Sequence, residues 1–276
     1  MTIRDAYAYG ITKLSESGIV DAKTDARLLM EYLCHVSMND ILVHGERTID
    51  EPIAQLYMLY IEKRASHIPL QHLTHEQEFM GMTFYVNEDV LIPRQDTEIL
   101  VEEVMKLRMT GARILDLCTG SGCILLSLLK YMNSCIGDGV DISSKALEVA
   151  KRNAQDLQLS GADFFCGDLY EPVRDKKYDI IVSNPPYIIR KEIDHLMEEV
   201  ALYDPYIALD GGEDGLDFYR RIIGGAREML LPQGSVYLEI GYNQGADVKS
   251  IFEANGFTEI EIVKDYAGLD RVVCAK

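Results

Sequence analysis

The sequence predicts an α/β protein: a doubly wound, mostly parallel sheet of seven strands, preceded by a small helical bundle and joined to it by a β-hairpin. Three observations predict it. Beyond Gly111, short apolar β-branched runs alternate with segments of helical period, the pattern of parallel strands whose crossover helices cover both faces. Before residue 75, apolar residues recur only at three-and-four spacing. Between 78 and 92 the pattern changes to alternation around a polar turn. The expected division is a helical domain over 1–77, a hairpin linker over 78–92 and the α/β domain over 93–276.

Thr2 is placed to cap a first helix running through Leu14. From Asp25 to Cys34, the residues Ala26, Leu29 and Leu33, with Leu28 and Tyr32, form one broad apolar stripe, as an amphipathic helix requires. Asp40 opens a short segment carrying Ile41, Leu42 and Val43. Asp50 starts a longer helix in which Ile53, Leu56, Tyr57, Tyr60 and Ile61 recur at the same period. This bundle holds no glycine loop and no cluster of Cys, His and carboxylates, so packing or substrate docking is its expected part. The hairpin runs from Phe79 through Met82 to Val86, turns at Asn87-Glu88-Asp89 and returns along Val90-Leu91-Ile92. Pro93 ends it, and Asp96 or Thr97 caps a helix carrying Ile99, Leu100, Val101 and Val104.

Strands are then expected at 114–118, 134–140, 163–166, 178–183, 235–240, 258–263 and 271–275, with helices at 123–132, 145–157, 217–230 and 246–255. With no helix between them, the last two strands form an antiparallel edge pair.

Of the 276 residues, 47% are apolar and 26% charged, which excludes disorder, collagen and coiled coil. No run approaches the roughly 20 apolar residues of a membrane span, and Asp5 close behind Arg4 leaves no apolar signal core, so a cytoplasmic protein is expected. With 27 basic and 45 acidic residues the net charge is −18, which opposes a phosphate backbone and argues against direct nucleic-acid binding. The six cysteines include no CxxC pair and no His at ligand spacing. Free thiols in a reducing compartment are expected, and no metal.

Chemistry first surfaces at Asp116-Leu117-Cys118-Thr119-Gly120-Ser121-Gly122, directly after a strand and opening a helix. Glycines there let the backbone pass close to a ligand, and the helix start offers free N–H groups. Asp141 ends the next strand about 20 residues on, where a doubly wound sheet places a carboxylate for ribose hydroxyls. Together the two signals mean adenosine. The third glycine of a dinucleotide loop is missing, since Cys123, Ile124 and Leu125 follow Gly122. Asp116 suits the cationic amino-acid end of S-adenosylmethionine better than a pyrophosphate. Alone, such a loop is equally a tight strand-to-helix turn; Asp141 and a second motif favour the cofactor.

That motif is Asn184-Pro185-Pro186-Tyr187, at the carboxyl end of the strand 178–183, where ligands of open α/β sheets sit. Two prolines remove two donors and leave carbonyl acceptors; Asn184 adds another acceptor and Tyr187 a flat apolar surface. Such a site fits a planar NH₂ conjugated to a carbonyl or a heterocycle. That nitrogen is a poor nucleophile, so catalysis rests on positioning and on hydrogen bonds that strengthen as it turns positive, with no dedicated base.

With these residues the chain resembles the release factor glutamine methyltransferases of the PrmC/HemK family, over essentially its whole length. Leu91-Ile92-Pro93-Arg94-Gln95-Asp96-Thr97-Glu98, Glu78-Phe79-Met80-Gly81, Glu239-Ile240-Gly241 with Gln244, and Asp270-Arg271 also resemble family segments, though Gln95 stands where the family usually has Pro. The resemblance implies the class I S-adenosylmethionine-dependent methyltransferase fold. It implies as substrate the side-chain amide nitrogen of the glutamine in the Gly-Gly-Gln loop of class I peptide-chain release factors, and S-adenosylhomocysteine as product. Cys118, Thr119, Gly120, Ser121, Gly122 and Asp141 would hold the cofactor. Asp168 and Leu169 would lie by the adenine, with Tyr170 the alternative contact. Asn184, Pro185, Pro186 and Tyr187 would hold the glutamine, with Asn184 also by the cofactor, and the helical domain would help dock the release factor.

Other residues keep two readings. Arg94, Asp96 and Glu98 order the domain junction or merely start a solvated helix. Glu239 acts at the crevice rim or supports structure. His195 with Asp194, Glu198 and Glu199 reads as an exposed charged helix. At the level of function, the tetrapeptide suits adenine or cytosine amino groups in nucleic acid as well as glutamine, and a non-catalytic adenosine-binding module is the third possibility.

Overall fold

The computed structural model describes residues 1–276. In chain order its first elements are the helices α1 (Ile3–Glu16), α2 (Ala22–Cys34), α3 (Met38–Val43), α4 (Glu51–Ala65) and α5 (Leu70–Thr74), then strands β1 (Glu76–Phe79) and β2 (Met82–Tyr85) and helix α6 (Glu98–Met105). Next come β3 (Arg113–Leu117), α7 (Cys123–Tyr131), β4 (Ile136–Asp141), α8 (Ser144–Asp156), β5 (Ala162–Cys166) and β6 (Tyr178–Ser183). The last are α9 (Glu198–Tyr203), α10 (Tyr206–Leu209), α11 (Asp217–Met229), β7 (Leu230–Glu239), α12 (Gly245–Ala254), β8 (Glu261–Lys264) and β9 (Asp270–Ala275). The chain divides into two units, Met1–Glu76 with Met197–Tyr203, and Gln77–Leu196 with Asp204–Lys276.

In the helical unit Thr2 caps α1, its hydroxyl accepting the Asp5 N–H at 3.1 Å. The stripe expected on α2 is buried at Ala26 and Leu29, against Leu14, Tyr57 and Ile61 of the neighbouring helices. Ser37, not Asp40, caps α3: its hydroxyl accepts from Asp40 N while the Asp40 carboxylate accepts from Ser37 N, a reciprocal box. Helix α5 has no counterpart in the prediction, because five residues are too few to show a period. Asp194, His195 and Glu198 are exposed, as expected of a charged surface segment, while Glu199 is half-buried. Buried Arg64 binds Asp25 at 2.7 Å and Glu199 at 2.5 Å, Glu198 lies 3.2 Å from His67, and the Tyr203 hydroxyl donates to the Ser66 carbonyl. The pairs Arg64–Glu199, His67–Glu198 and Ser66–Tyr203 are 131 or more residues apart, beyond any local pattern.

In the second unit β1 and β2 form a hairpin whose turn lies at Met80-Gly81, both left-handed at φ 50° and 68°. Two consecutive left-handed residues match the twist of the flanking strands. The expected turn at Asn87-Glu88-Asp89 is therefore not the hairpin's: Asp89 N donates to Asn87 Oδ1 in a side-chain-braced bend, and Val90-Leu91-Ile92 pairs with nothing as a strand. Val90 and Ile92 are buried one by one, which mimics alternation in sequence.

The seven-stranded sheet has the order β5-β4-β3-β6-β7-β9-β8, parallel except for the β7–β9 and β9–β8 pairs. The antiparallel edge is as expected, with β9 inserted between β7 and β8. Alternation along β3 sends Leu115 and Leu117 to a core built with α11 and α12, and Ile114 to a core built with α6, α7 and the hairpin's Phe79 and Phe84. From β3 the chain winds outward through β4 and β5, then returns to lay β6 on the other side of β3. That reversal opens a crevice at the carboxyl ends of β3 and β6.

Candidate active site

Both sequence motifs lie at that reversal. After β3 the chain turns through Cys118, Gly120 and Gly122, left-handed at φ 58°, 55° and 78°, and enters α7. A Cβ on Gly120 would meet nothing within 4 Å, so the loop leaves open space where a side chain would stand. The loop is held from below. The Thr119 hydroxyl donates to Asp116 at 2.6 Å, and Asn153 of α8, itself buried, donates to the Ser121 carbonyl at 2.9 Å.

Asp116 is buried beneath the loop, not facing the cleft as its expected role beside a cationic ligand end requires. Burial pushes its carboxyl up to about 7, and its second oxygen meets no partner.

Asp141, at the end of β4, accepts from Gly120 N and Ser143 N, each at 2.9 Å. Burial raises its carboxyl, against the pull of those N–H groups. Cys118, Thr119, Gly120, Ser121, Asp141, Asp168 and Leu169 all line one cleft; Gly122 lies just behind, as the first residue before α7. Burial keeps the Cys118 thiol protonated. Asp168 is drawn to Arg221 of α11 at 2.6 Å, while Tyr170 turns inward and donates to the Ile222 carbonyl, which leaves Leu169 on the cleft.

The same cleft reaches the second motif. The Ser183 hydroxyl donates to the Leu117 carbonyl at 2.6 Å and ties the end of β6 to β3. Asn184 and Pro186 line the cleft; Pro185 and Tyr187 do not. Tyr187 is half-buried, its ring packed against the core and its hydroxyl beside Glu239. The aromatic wall of the cleft is Phe218, joined by Pro205, Ile207 and Ala208.

Behind the tetrapeptide, residues 209–212 bond to 188–190 along the backbone, and Gln244 donates to the Tyr187 carbonyl at 3.0 Å and the Gly215 carbonyl at 3.2 Å. Gly215, at φ 76°, comes so close that a Cβ would stand 2.5 Å from the Tyr187 oxygen. The string Asp210-Gly211-Gly212-Glu213-Asp214-Gly215 was the signal for this clamp, within a stretch that showed no period.

The segment before α6 is not a solvated helix start. Arg94 binds Asp204 at 2.5 Å, Asp96 binds Arg271 at 3.0 Å, and Glu98 accepts from Met80 N at 2.6 Å. Neither Asp96 nor Thr97 caps α6 with its side chain. The Thr97 hydroxyl accepts instead from Asn184 Nδ2 at 3.3 Å.

A parallel sheet with one antiparallel edge, a glycine loop after its first strand, a carboxylate ending the second and an acceptor-rich tetrapeptide ending the fourth define a class I methyltransferase. The Methyltransferase small domain family matches residues 94–203, and the PrmC N-terminal domain family matches residues 5–74. The release factor glutamine methyltransferase of Clostridium acetobutylicum is 42% identical over 280 residues, covering 100% of this chain and 98% of that protein. That of Geobacter sulfurreducens is 37% identical over 272 residues, covering 99% and 95%. A solved methyltransferase structure from Pyrococcus furiosus matches with a TM-score of 0.55 at 17% identity, over 80% of this chain and 96% of that one, a likeness of fold. This chain belongs to the release factor glutamine methyltransferase family, as its motifs imply.

Proposed function

We propose that this protein transfers a methyl group from S-adenosylmethionine to the side-chain amide nitrogen of the glutamine in the Gly-Gly-Gln loop of class I peptide-chain release factors, with S-adenosylhomocysteine as the other product. The observation that carries this reading is the meeting in one cleft of Asn184 with the loop from Cys118 to Ser121.

The loop side of the cleft suits the cofactor. Each Asp141 oxygen already accepts one N–H and keeps lone-pair capacity for a ribose hydroxyl. Gly120 leaves room for a close approach, and Leu169 offers an apolar wall near Asp168 for the adenine. S-adenosylmethionine, when bound, supplies a methyl carbon made electrophilic by a sulfonium sulfur.

On the other side, Asn184 Oδ1 and the Pro186 carbonyl accept the two hydrogens of the glutamine carboxamide. Because neither proline has an N–H, no backbone donor competes there. The nitrogen is thereby held for in-line attack: the N–C bond forms, the S–C bond breaks, and the amide proton leaves to water. Positive charge grows on nitrogen along this path, so acceptors fixed in place stabilise the transition state more than the ground state. Phe218, Ile207 and Ala208 add apolar lining to the same cleft. No metal is needed for any step. The helical unit serves to dock the release factor, in the reducing cytoplasm where translation ends; all six cysteines are free thiols there.

The test supplies radiolabelled S-adenosylmethionine with a purified release factor, its Gln-to-Asn variant in the Gly-Gly-Gln loop, and duplex DNA. Label in the unaltered release factor alone supports the reading. Label in DNA would replace it with the amino methyltransferase of adenine or cytosine.

A further inference from the structure

Glu239 is a buried carboxyl that the reaction as described does not use. It ends β7, and the parallel register that sets Ser183 opposite Leu238 brings it beside Asn184. It is 1% exposed, and Oε2 has no hydrogen-bond partner. Its polar neighbours are the Thr97 and Tyr187 hydroxyls and Arg271, whose charge Asp265 and Asp96 already balance at 2.9 and 3.0 Å. A carboxylate with one oxygen unmatched is costly to bury, so its place asks for a reason.

Thr97 links it to the reacting end. The Thr97 side chain stands at a helix start, the position where threonine ordinarily caps, yet makes no cap bond. It lies instead between Glu239 and Asn184 Nδ2. A hydroxyl has one proton and two lone pairs. Once ionised, Glu239 has no proton to give and draws the Thr97 proton toward itself, so Thr97 can only accept on its other side. Asn184 then has to present Nδ2 to Thr97, which turns Oδ1 away from it. An amide with its ends exchanged would fill the same volume and meet the substrate NH₂ with another NH₂.

We infer that Glu239 and Thr97 are positioning residues that set the polarity of the Asn184 amide, so that its oxygen and not its nitrogen faces the substrate carboxamide. The inference rests on the methyl-transfer reading above and deepens it: acceptor character at Asn184 is imposed through Thr97, which lines the cleft, by Glu239, which does not.

The test measures methyl transfer to the release factor, S-adenosylmethionine affinity and melting temperature at pH 8, where Glu239 is ionised, for wild type, Thr97→Ser, Thr97→Val, Glu239→Met and the Thr97→Val/Glu239→Met double variant. Methionine has nearly the length of glutamate and accepts no comparable bond, and Arg271 keeps two carboxylates, so the fold should hold. Thr97→Ser keeps the hydroxyl and should keep wild-type kcat. Thr97→Val and Glu239→Met should each lose kcat by roughly 10- to 100-fold, the scale of a misplaced reacting group, with cofactor affinity unchanged. The double variant should be no worse than the poorer single one, because the two act in series. Full activity in Glu239→Met, equal damage from Thr97→Ser and Thr97→Val, or losses that multiply in the double variant would each overturn the inference. A wild type that labels no release factor overturns the substrate reading itself, whereas a labelling wild type with equally active variants removes only the relay.

Discussion

Replacing Gly215 with alanine tests the clamp that holds the Asn184-Pro185-Pro186-Tyr187 segment. Two costs are separable. At φ 76° a residue with a Cβ pays about 1 kcal/mol for the left-handed conformation. The Cβ would also stand 2.5 Å from the Tyr187 carbonyl oxygen and 2.7 Å from Gln244 Nε2. A close C···O contact is about 3.3 Å, so the Tyr187 carbonyl must retreat by about 0.8 Å. Gln244 then loses its bonds to Tyr187 and Gly215, worth about 1 kcal/mol each. The sum is about 3 kcal/mol of stability. Moving Tyr187 by that distance also moves the residues before it, and kcat should fall roughly 100-fold. Cofactor affinity should hold, because Asp141 ends β4 and Gly120 lies in the loop after β3, away from the clamp. Gly268→Ala is the control, since φ there is 84° with nothing within 4 Å of a Cβ. It should lose about 1 kcal/mol and no activity. Chemical denaturation, titration calorimetry and single-turnover methyl transfer read the three quantities. If Gly215→Ala behaves like Gly268→Ala in both stability and kcat, the clamp does not hold the site.

Asn184→Ala should cut methyl transfer by roughly 100-fold or more while cofactor affinity holds, and equal loss of both would assign the residue to the cofactor site. Asp141→Ala should do the reverse, weakening S-adenosylmethionine binding by roughly tenfold or more in calorimetry; unchanged affinity removes it from the ribose role. Arg64→Met leaves the buried Asp25 carboxylate unpaired and should cost the helical unit about 3 kcal/mol, read by hydrogen exchange on α2 and α4. Exchange rates that do not change would show that the pair contributes nothing. Glu239 is raised by burial from 4.5 to about 7, so the folded state holds its proton more tightly than the unfolded chain. Its stabilising contribution is complete below the unfolded value and is lost as pH rises through about 7. Glu239→Gln should therefore gain on the wild type in melting temperature between about pH 5 and 8, and a difference that stays flat over that range would show that Glu239 does not titrate there.

Chemistry carried by consecutive residues was readable before any coordinates. Asp116 to Gly122 and Asn184 to Tyr187 each state a local backbone geometry, and Asp141 falls at a spacing that a doubly wound sheet imposes. The misreadings share one cause. Val90 and Ile92 alternate without pairing, and Asp96 and Thr97 look like caps. In each case a partner distant in sequence claims the group: Ala146 and Val149 pack with Val90, Arg271 takes Asp96, and Asn184 takes Thr97.

The chain by itself determined the alternation that makes the sheet, the loop that opens α7 and the acceptor-only character of the tetrapeptide, because these depend on period, on glycine and on the missing N–H of proline. Only the folded arrangement decided which aromatic lines the cleft, what grips the tetrapeptide from behind and which end of the Asn184 amide faces forward. Those outcomes depend on hydrogen-bond donors and acceptors matched between strands, loops and helices far apart in sequence. A proton on a threonine hydroxyl points where the nearest buried carboxylate draws it, and no local pattern records where that carboxylate will be.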